Sequence, residues 1–310
     1  MRKIQRLTLG DGVQEFFKKI KKQDLSPMTL RGYQGDLELF RRWNEELSGP
    51  KIKLNQLSEI DLMAYRNYMV TTRRFKAATI NRRLEALRKF FKWAFREKLV
   101  KNDITDEIKS VKTVRNRSPQ GLTAREIHAL LKAAGESKHG LAKRNYALVQ
   151  LMVQAGLRVG EVAKLCAVDV LIQTRSGCVR IQDGKGQKQR DIPLNATARR
   201  ALKNYLATRD SMKKNDPLFT SSRGDVISVR SIQSVMSSLA RRAKVQRLKI
   251  SPHTFRHTFA LNYLKQNPGK LVELASLLGH DSLDTTSIYT RPSAEDLAQD
   301  LEKSSLNIYG

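Results

Sequence analysis

The feature that most constrains the fold is the spacing of the apolar residues, which follows the period of an α-helix along most of the 310-residue chain. Val13, Phe16 and Ile20 illustrate this spacing near the start of the sequence. Only two short segments, near 177–182 and 189–193, alternate in the manner of strands, and a turn containing two glycines joins them. The sequence therefore predicts a mainly α-helical fold with one small antiparallel β-sheet in its second half.

A break in this pattern indicates two domains, the number that a prior of roughly 150 residues per domain also suggests. Residues 112–121, with the sequence KTVRNRSPQG, contain few apolar residues and include Ser-Pro and Gly. We therefore expect a helical domain over residues 1–112, a linker over 113–121 and a second domain over 122–310.

The charge of the chain indicates a polyanionic partner. Lys and Arg number 58 against 30 Asp and Glu, which gives a formal net charge of +28. The excess is spread along the chain, because residues 1–118 hold 28 basic and 14 acidic residues and the rest hold 30 and 16. Nucleic acid is the first polyanion to consider for such a protein.

A helix predicted over about residues 77–99 has one apolar and one basic face. Its apolar face comprises Ile80, Leu84, Leu87, Phe91, Ala94 and Phe95. The ordinary explanation of the basic face is a solvated surface, but such surfaces usually mix both signs, whereas a stripe of one sign suits phosphates. We expect DNA contacts from Arg82, Arg83, Arg88, Lys89 and Lys92, and from Lys188 in the hairpin turn.

Several classes of protein are disfavoured. The two cysteines, Cys166 and Cys178, are too few for a disulfide framework or a CxxC-type zinc site. The first residues lack the apolar core of a secretory signal, and no apolar run reaches the length of about 18 residues expected of a membrane span. No phosphate-binding GxxxxGK[ST] loop is present. We expect a cytoplasmic protein that uses no membrane, metal or other cofactor.

Five short segments of the second half carry a candidate catalytic site. Singly, each has an ordinary explanation, such as a surface arginine, a turn or a core tyrosine. Their order and spacing together are the signal. They contribute Arg158 and Glu161 in GLRVGE, Lys185 in a Gly-Lys-Gly turn, His253 and Arg256 in HTFRH, His280 in Leu-Gly-His, and Tyr289 nine residues beyond His280.

With these motifs the sequence resembles the tyrosine recombinases, or phage integrase family, and in particular an Xer-like or Cre-like site-specific recombinase. The resemblance is specific over about residues 123–292. It is looser over 11–100, where it implies a helical core-binding domain. It implies that the core-binding and catalytic domains close around duplex DNA as a C-shaped clamp. It also implies cleavage through a 3′-phosphotyrosine with release of a 5′-hydroxyl, and strand exchange through a Holliday junction.

The chemistry of this reaction explains the residue types. Two guanidiniums, Arg158 and Arg256, can clamp the non-bridging oxygens of a phosphodiester. A phenol with its ordinary pKa of about 10 is a weak nucleophile, so Tyr289 needs a base. The resemblance implies His253 as this base, Lys185 as the acid for the leaving oxygen, His280 as a hydrogen-bonding partner of the phosphate, and Glu161 as support for Arg158 or His253. The neighbouring His257 is interpreted as a structural hydrogen-bonding residue.

The resemblance also implies an assembly. The expected partner is double-stranded DNA with a specific recombination site, bound by a homotetramer that is a monomer or weak oligomer when free. A C-terminal helix over about 293–306 is acidic and repeats Leu297 and Leu301 on one face. We expect it to meet a neighbouring subunit; the alternative is that it packs on its own domain. The sequence leaves a need for accessory proteins open.

Other functions are compatible with the same residues. A type IB topoisomerase would use the same tyrosine chemistry to relax DNA, and a non-catalytic DNA-binding protein could keep the fold. Integration, excision, chromosome-dimer resolution and cointegrate resolution would all use this constellation, so the sequence does not distinguish them.

Overall fold

The computed structural model describes residues 7–23, 25–112, 120–138, 140–182, 189–209, 211–246, 250–280, 282–291, 297–298 and 301–302. The chain forms two compact units, residues Met1–Asn116 and Arg117–Gly310. Most of the predicted linker, the hairpin turn with Lys185 and Lys188, and most of the predicted C-terminal helix lie outside the described residues. No helix in the described ranges is both long enough and apolar enough to cross a bilayer.

Helices build the N-terminal unit. The Ser26 hydroxyl accepts a hydrogen bond from the Thr29 backbone N–H at 3.1 Å, and Pro27 occupies the first helical position, so the second helix begins there. A π-helical turn over Tyr68–Thr72 extends the third helix. The helices are α1 (Leu9–Ile20), α2 (Pro27–Ser48), α3 (Glu59–Asn67) and α4 (Ala77–Arg96).

Aromatic rings fill the core of this unit. Phe40 of α2 contacts Tyr65 of α3 and Phe91 of α4 edge to face, with ring centroids 5.1 and 6.2 Å apart. Most of the predicted apolar face of α4 is buried as expected. The prediction was wrong for Phe95, which is 46% exposed, because the buried stripe runs through Phe90 instead.

The basic face of α4 is partly used inside the unit. Arg82 and Arg83 both approach the carboxylate of Asp36 on α2, which is 4% exposed. Arg83 keeps only 14% of its side chain exposed and stacks on Phe75, with its guanidinium 4.4 Å from the ring centroid. Lys92, in contrast, is exposed to solvent. The face is therefore not a uniform stripe of free cations of the kind that the sequence predicted for binding phosphates, because a buried acid neutralises one end of it.

The C-terminal unit combines helices with one small sheet, which confirms the predicted fold class. Residues Ser287–Tyr289 form a 3₁₀ turn after its last described α-helix. Its elements are α5 (Ala124–Gly135), α6 (Ala142–Ala155), α7 (Val159–Lys164), β1 (Val170–Ile172), β2 (Gly177–Gln182), β3 (Gln189–Pro193), α8 (Ala196–Leu206), α9 (Val229–Arg242), α10 (Pro252–Gln266), α11 (Leu271–Leu278) and α12 (Leu283–Thr286).

The sheet is antiparallel with the order β1-β2-β3. Val179 of β2 lies opposite Ile192 of β3, and both are buried, whereas Ile181 lies opposite Arg190. Strands β2 and β3 are those predicted from the sequence. Strand β1 was not predicted, because three residues are too few to establish an alternating pattern and the central one, Leu171, is 55% exposed.

Helix α6 is the centre of the C-terminal unit and leads directly to the candidate site. Every residue from Ala147 to Val153 is buried, since α5, α8 and α10 pack around this helix. The helix ends at Gly156, whose φ of +62° suits glycine. A Cβ atom there would lie 2.3 Å from the ring of Phe259 on α10. Gly156 therefore allows both the sharp turn toward Arg158 and the close approach of α10.

Replacing Asp36 with alanine should destabilise the N-terminal unit by about 3 kcal/mol, because it removes one partner of a largely buried ion pair. Arg82 and Arg83 would then lose the carboxylate that they share. Both tryptophans of the chain, Trp43 and Trp93, lie in this unit, so their fluorescence during urea unfolding of the full chain reports its stability.

Glu15→Ala is the matched control for this substitution. Glu15 pairs with Lys18 at 2.7 Å on an exposed surface, so its loss should change stability by no more than about 1 kcal/mol. An Asp36→Ala chain that unfolds at the urea concentration of the wild type would contradict the structural role of this carboxylate.

Candidate active site

Arg158 is held at the start of α7 by Glu161. The backbone N–H of Arg158 donates to Glu161 Oε2 at 2.7 Å, and its guanidinium Nη1 donates to Glu161 Oε1 at 3.0 Å. The Glu161 side chain is 12% exposed and that of Arg158 is 39% exposed. The predicted pairing of these two residues on one helical face therefore leaves the guanidinium partly open to solvent.

Arg256 is the more deeply buried of the two predicted arginines, at 5% exposure. Its Nη1 donates to the carbonyl of Gly156 at 2.8 Å, and its Nη2 donates to the carbonyl of Leu278 at 2.6 Å. Burial, and then the nearby Arg158 cation, lower the pKa of Arg256 to about 10, although Glu161 acts in the opposite direction. The side chain therefore stays cationic at neutral pH.

The carboxyl end of α11 brings three guanidiniums together. The carbonyl of Leu277 accepts from Arg190 at 3.1 Å, that of Leu278 accepts from Arg256, and that of Gly279 accepts from Arg158 at 2.6 Å. The last carbonyls of a helix lack intrahelical donors and carry partial negative charge. The end of α11 is therefore a suitable anchor for cations, and it fixes segments that are far apart in sequence.

His280 follows this anchor directly and joins the arginine cluster. Its Nε2 lies 2.9 Å from Arg256 Nη2, and its Nδ1 lies 2.8 Å from the hydroxyl of the fully buried Thr286. A guanidinium can only donate, so Nε2 accepts from Arg256 and Nδ1 carries the proton that is donated to Thr286. The tautomer of His280 is thus determined by its two neighbours.

Tyr289 lies in the 3₁₀ turn after α12 and is 7% exposed. Its hydroxyl is 2.8 Å from Nδ1 of His257 on α10. Burial raises the pKa of the Tyr289 phenol above its ordinary value, and the Arg256 cation opposes this shift. The phenol is therefore neutral at physiological pH in this state.

The predicted site residues that the structure describes thus fall into three groups. Arg158, Glu161, Arg256 and His280 form one hydrogen-bonded cluster. His253 is exposed and lines the same groove as Arg158 and His280. Tyr289 is buried against Ala260, Leu274 and Leu278 instead. Lys185 and Lys188 lie outside the described residues. Within the described part of the chain, no group of three or more His, Cys, Asp and Glu side chains could hold a metal ion.

One residue with direct contacts in this site, Arg190, was missed by the sequence analysis, and a second, His257, has a partner that the sequence analysis did not name. Arg190 donates from Nη2 to both carboxylate oxygens of Glu161 at 2.9 Å. Arg190 lies two residues before the buried Ile192 and therefore on the inward face of β3. A charged side chain on an inward face needs a partner, so its position in the sequence could have indicated a role in the site. His257, interpreted as structural, is the described hydrogen-bond partner of the Tyr289 hydroxyl.

This fold and these side chains define the class of enzymes called tyrosine recombinases, which cleave and rejoin DNA strands. The model of the Phage integrase family matches residues 120–296, and that of the Phage integrase N-terminal SAM-like domain matches residues 13–98. The chain belongs to the phage integrase family, and its relatives show that it is an Xer-like site-specific recombinase.

The relatives cover almost the whole chain. The tyrosine recombinase XerD of Ralstonia nicotianae is 34% identical over 294 residues, which is 93% of this chain and 91% of the relative. The tyrosine recombinase XerC of Thermodesulfovibrio yellowstonii is 32% identical over 293 residues, 92% of each chain.

Solved structures share the fold. The XerH site-specific recombinase bound to a palindromic difH substrate, in a post-cleavage complex, has a TM-score of 0.76 at 23% identity, over 96% of this chain and 84% of that chain. A lambda integrase dimer bound to a COC′ core site has a TM-score of 0.72 at 19% identity, over 92% of this chain and 96% of that chain.

Arg190→Gln should slow DNA cleavage roughly 10-fold to 100-fold, because Glu161 would lose the partner that holds it and would position Arg158 less firmly. The measurement is the single-turnover rate constant of strand cleavage on a nicked duplex. Arg209→Gln is the matched control, since Arg209 donates to the carbonyl of Leu218 at 3.0 Å in the same unit and has no described contact with Glu161. Equal rate constants for the two variants would contradict the role of Arg190.

Proposed function

We propose that Tyr289 attacks the phosphorus of a DNA phosphodiester, forming a 3′-phosphotyrosine and releasing a 5′-hydroxyl. The observation that carries this proposal is the convergence of Arg158, Arg256 and His280 at the carboxyl end of α11, beside the turn that carries Tyr289. One phosphodiester is exchanged for another, so the energy of the cleaved bond is stored in the protein–DNA linkage. Attack by a 5′-hydroxyl of another strand then reseals the DNA without ATP.

The arginine cluster supplies the electrostatic part of this mechanism. The protein contacts of Arg158 and Arg256 use some of their N–H donors and leave others for the non-bridging oxygens of the phosphate. Because the carbonyls of α11 already hold both guanidiniums, little reorganisation is needed when the transition state gathers charge. With a phosphate bound, His280 would take a proton on Nε2 and donate it to the same oxygens instead of accepting from Arg256, and Glu161 would keep Arg158 in place.

Proton transfer completes the mechanism. His253 lines the groove beside Arg158 and is the proposed base for the Tyr289 proton. Lys185 is the proposed acid that protonates the leaving 5′-oxygen. Lys185 lies in the segment between β2 and β3. The last residue of β2, Gln182, and the first residue of β3, Gln189, both line the groove, which supports this role.

We propose double-stranded DNA with a specific recombination site as the partner, and the cytoplasm as the location. Recombinases with the same fold have been solved on their DNA sites, including XerH with difH. The N-terminal unit would act as the core-binding domain and contact the duplex. Exposed cations such as Lys89 and Lys92 would bind phosphates there, whereas Arg83 would support the fold through Asp36.

We further propose that four copies assemble on two sites and exchange strands through a Holliday junction. Leu297 and Leu301 of the C-terminal segment are 50% and 73% exposed, so their own chain does not bury them. Near the surface of α10 and α11, Phe259, Tyr263 and Val272 line an apolar groove. The C-terminal segment of a neighbouring copy would place its apolar Leu297 and Leu301 in this apolar groove.

The nucleophile can be tested with a nicked duplex library made from the genome that flanks the gene. After incubation, a denaturing gel should show a covalent protein–DNA adduct at one sequence, and Tyr289→Phe should abolish it because no phenol oxygen remains. Tyr205→Phe, a change of the same kind on α8, should keep the adduct, because the Tyr205 hydroxyl has no hydrogen-bond partner among the described residues. An adduct that persists in Tyr289→Phe would contradict the proposal, and adducts at all sequences would favour topoisomerase activity.

Assembly can be tested by deleting residues 293–310. Single-site DNA binding should persist, because the arginine cluster stays intact, whereas the tetrameric complex on two sites should be lost. Mass photometry of protein–DNA complexes measures both species. The double change Leu297→Ser and Leu301→Ser should reproduce the loss without shortening the chain. Full tetramer formation by the deleted chain would contradict docking in a neighbouring subunit.

A further inference from the structure

The hydroxyl of Tyr289 needs a hydrogen-bond partner because its ring is buried in apolar surroundings. Ala260, Leu274 and Leu278 form the small cluster around it, and none of these side chains can accept a hydrogen bond. His257 Nδ1 lies 2.8 Å from the hydroxyl oxygen, and the two rings are 5.5 Å apart between centroids. Leaving a buried hydroxyl without a partner is unfavourable, so this contact restricts where the phenol can lie.

Helix α10 holds His257 in a defined position. Consecutive residues of an α-helix point about 100° apart, so Arg256 is directed to the end of α11 while His257 is directed to Tyr289. Arg256 anchors this turn of the helix to Gly156 and Leu278. One rigid turn therefore carries both a phosphate-binding arginine and the partner of the nucleophile.

The charges around this contact favour a neutral hydrogen bond. Burial lowers the pKa of His257, and the neighbouring His253 and Arg256 lower it further. Burial raises the pKa of Tyr289. Transfer of the phenol proton to His257 is therefore unfavourable. Because the apolar cluster offers the O–H no other acceptor, the phenol donates to an unprotonated Nδ1.

We infer that His257 is a positioning residue for the nucleophile: its Nδ1 accepts the hydrogen bond of the Tyr289 hydroxyl and thereby sets the direction from which the phenol approaches the phosphate. This inference rests on the proposed role of Tyr289. It assigns His257 the orientation of the phenol and leaves the removal of the phenol proton to a separate base.

Two substitutions distinguish orientation from packing and from proton transfer. His257→Leu keeps an apolar side chain of similar size but has no acceptor. His257→Asn places an amide oxygen near the position of Nδ1, and this oxygen accepts a hydrogen bond but does not act as a base at neutral pH. His128→Leu is the matched control, since His128 is an exposed histidine on α5 of the same unit.

The experiment measures single-turnover cleavage and DNA affinity for the full chain on the duplex selected with the wild type. His257→Leu should lower the cleavage rate constant roughly 10-fold to 100-fold with an unchanged Kd, because the phenol is misdirected rather than removed. His257→Asn should recover most of the rate, and His128→Leu should behave as the wild type. In the DNA-free chain labelled with [¹³Cζ]tyrosine, the NMR signal that Tyr289→Phe removes should shift in His257→Leu and move back toward its wild-type position in His257→Asn.

Wild-type cleavage by a folded His257→Leu chain would overturn the inference. So would a His257→Asn chain as slow as His257→Leu, because that result would assign His257 to proton transfer or packing. Failure of the proposed function has a different signature, since the wild-type adduct would then survive in Tyr289→Phe. The NMR comparison needs no DNA, so it tests the hydrogen bond in either case.

Discussion

The carboxyl end of α11 is the constraint on which the candidate active site depends. Its last carbonyls accept hydrogen bonds from the guanidiniums of Arg158, Arg190 and Arg256. Three cations gathered around one carboxylate, that of Glu161, would repel one another, and burial adds a desolvation cost. The partial negative charge at the end of the helix offsets part of this cost. An anionic phosphate in the groove would offset more of it, so the cluster is prepared for the charge that it would bind.

The proposed nucleophile, Tyr289, belongs to a different part of the same framework. Tyr289 is buried beside α10 and α11, and its hydroxyl contacts His257 instead of the arginine cluster. Helix α10 connects the two parts, because two adjacent residues of one turn contact them. Arg256 donates to the carbonyl of Leu278, and His257 contacts the hydroxyl of Tyr289. The structure therefore holds the arginine cluster and the Tyr289 phenol by separate supporting contacts, which correspond to the proposed anion site and the proposed nucleophile.

The N-terminal unit uses charge in a different way. Asp36 forms ion pairs with Arg82 and Arg83 of α4, the helix whose sequence predicted a continuous phosphate-binding stripe. A buried carboxylate that faces two arginines stabilises the packing of α2 on α4 and leaves fewer cations for DNA. Lys89 and Lys92 keep their exposure on the same helix. Net charge along a sequence is thus an upper limit on the charge that a surface offers to a polyanion.

The sequence by itself determined the helical fold, the strands β2 and β3, and Arg158, Glu161, Arg256 and His280 as members of one site, because periodicity, turn residues and motif spacing are properties of neighbouring positions. Only the tertiary structure decided that Arg190 forms an ion pair with Glu161, that His257 forms a hydrogen bond with Tyr289 and that Arg83 forms an ion pair with Asp36. These contacts join residues that are 29, 32 and 47 positions apart, respectively. Local patterns do not encode such pairings, since they arise when buried polar groups from separate elements must satisfy one another.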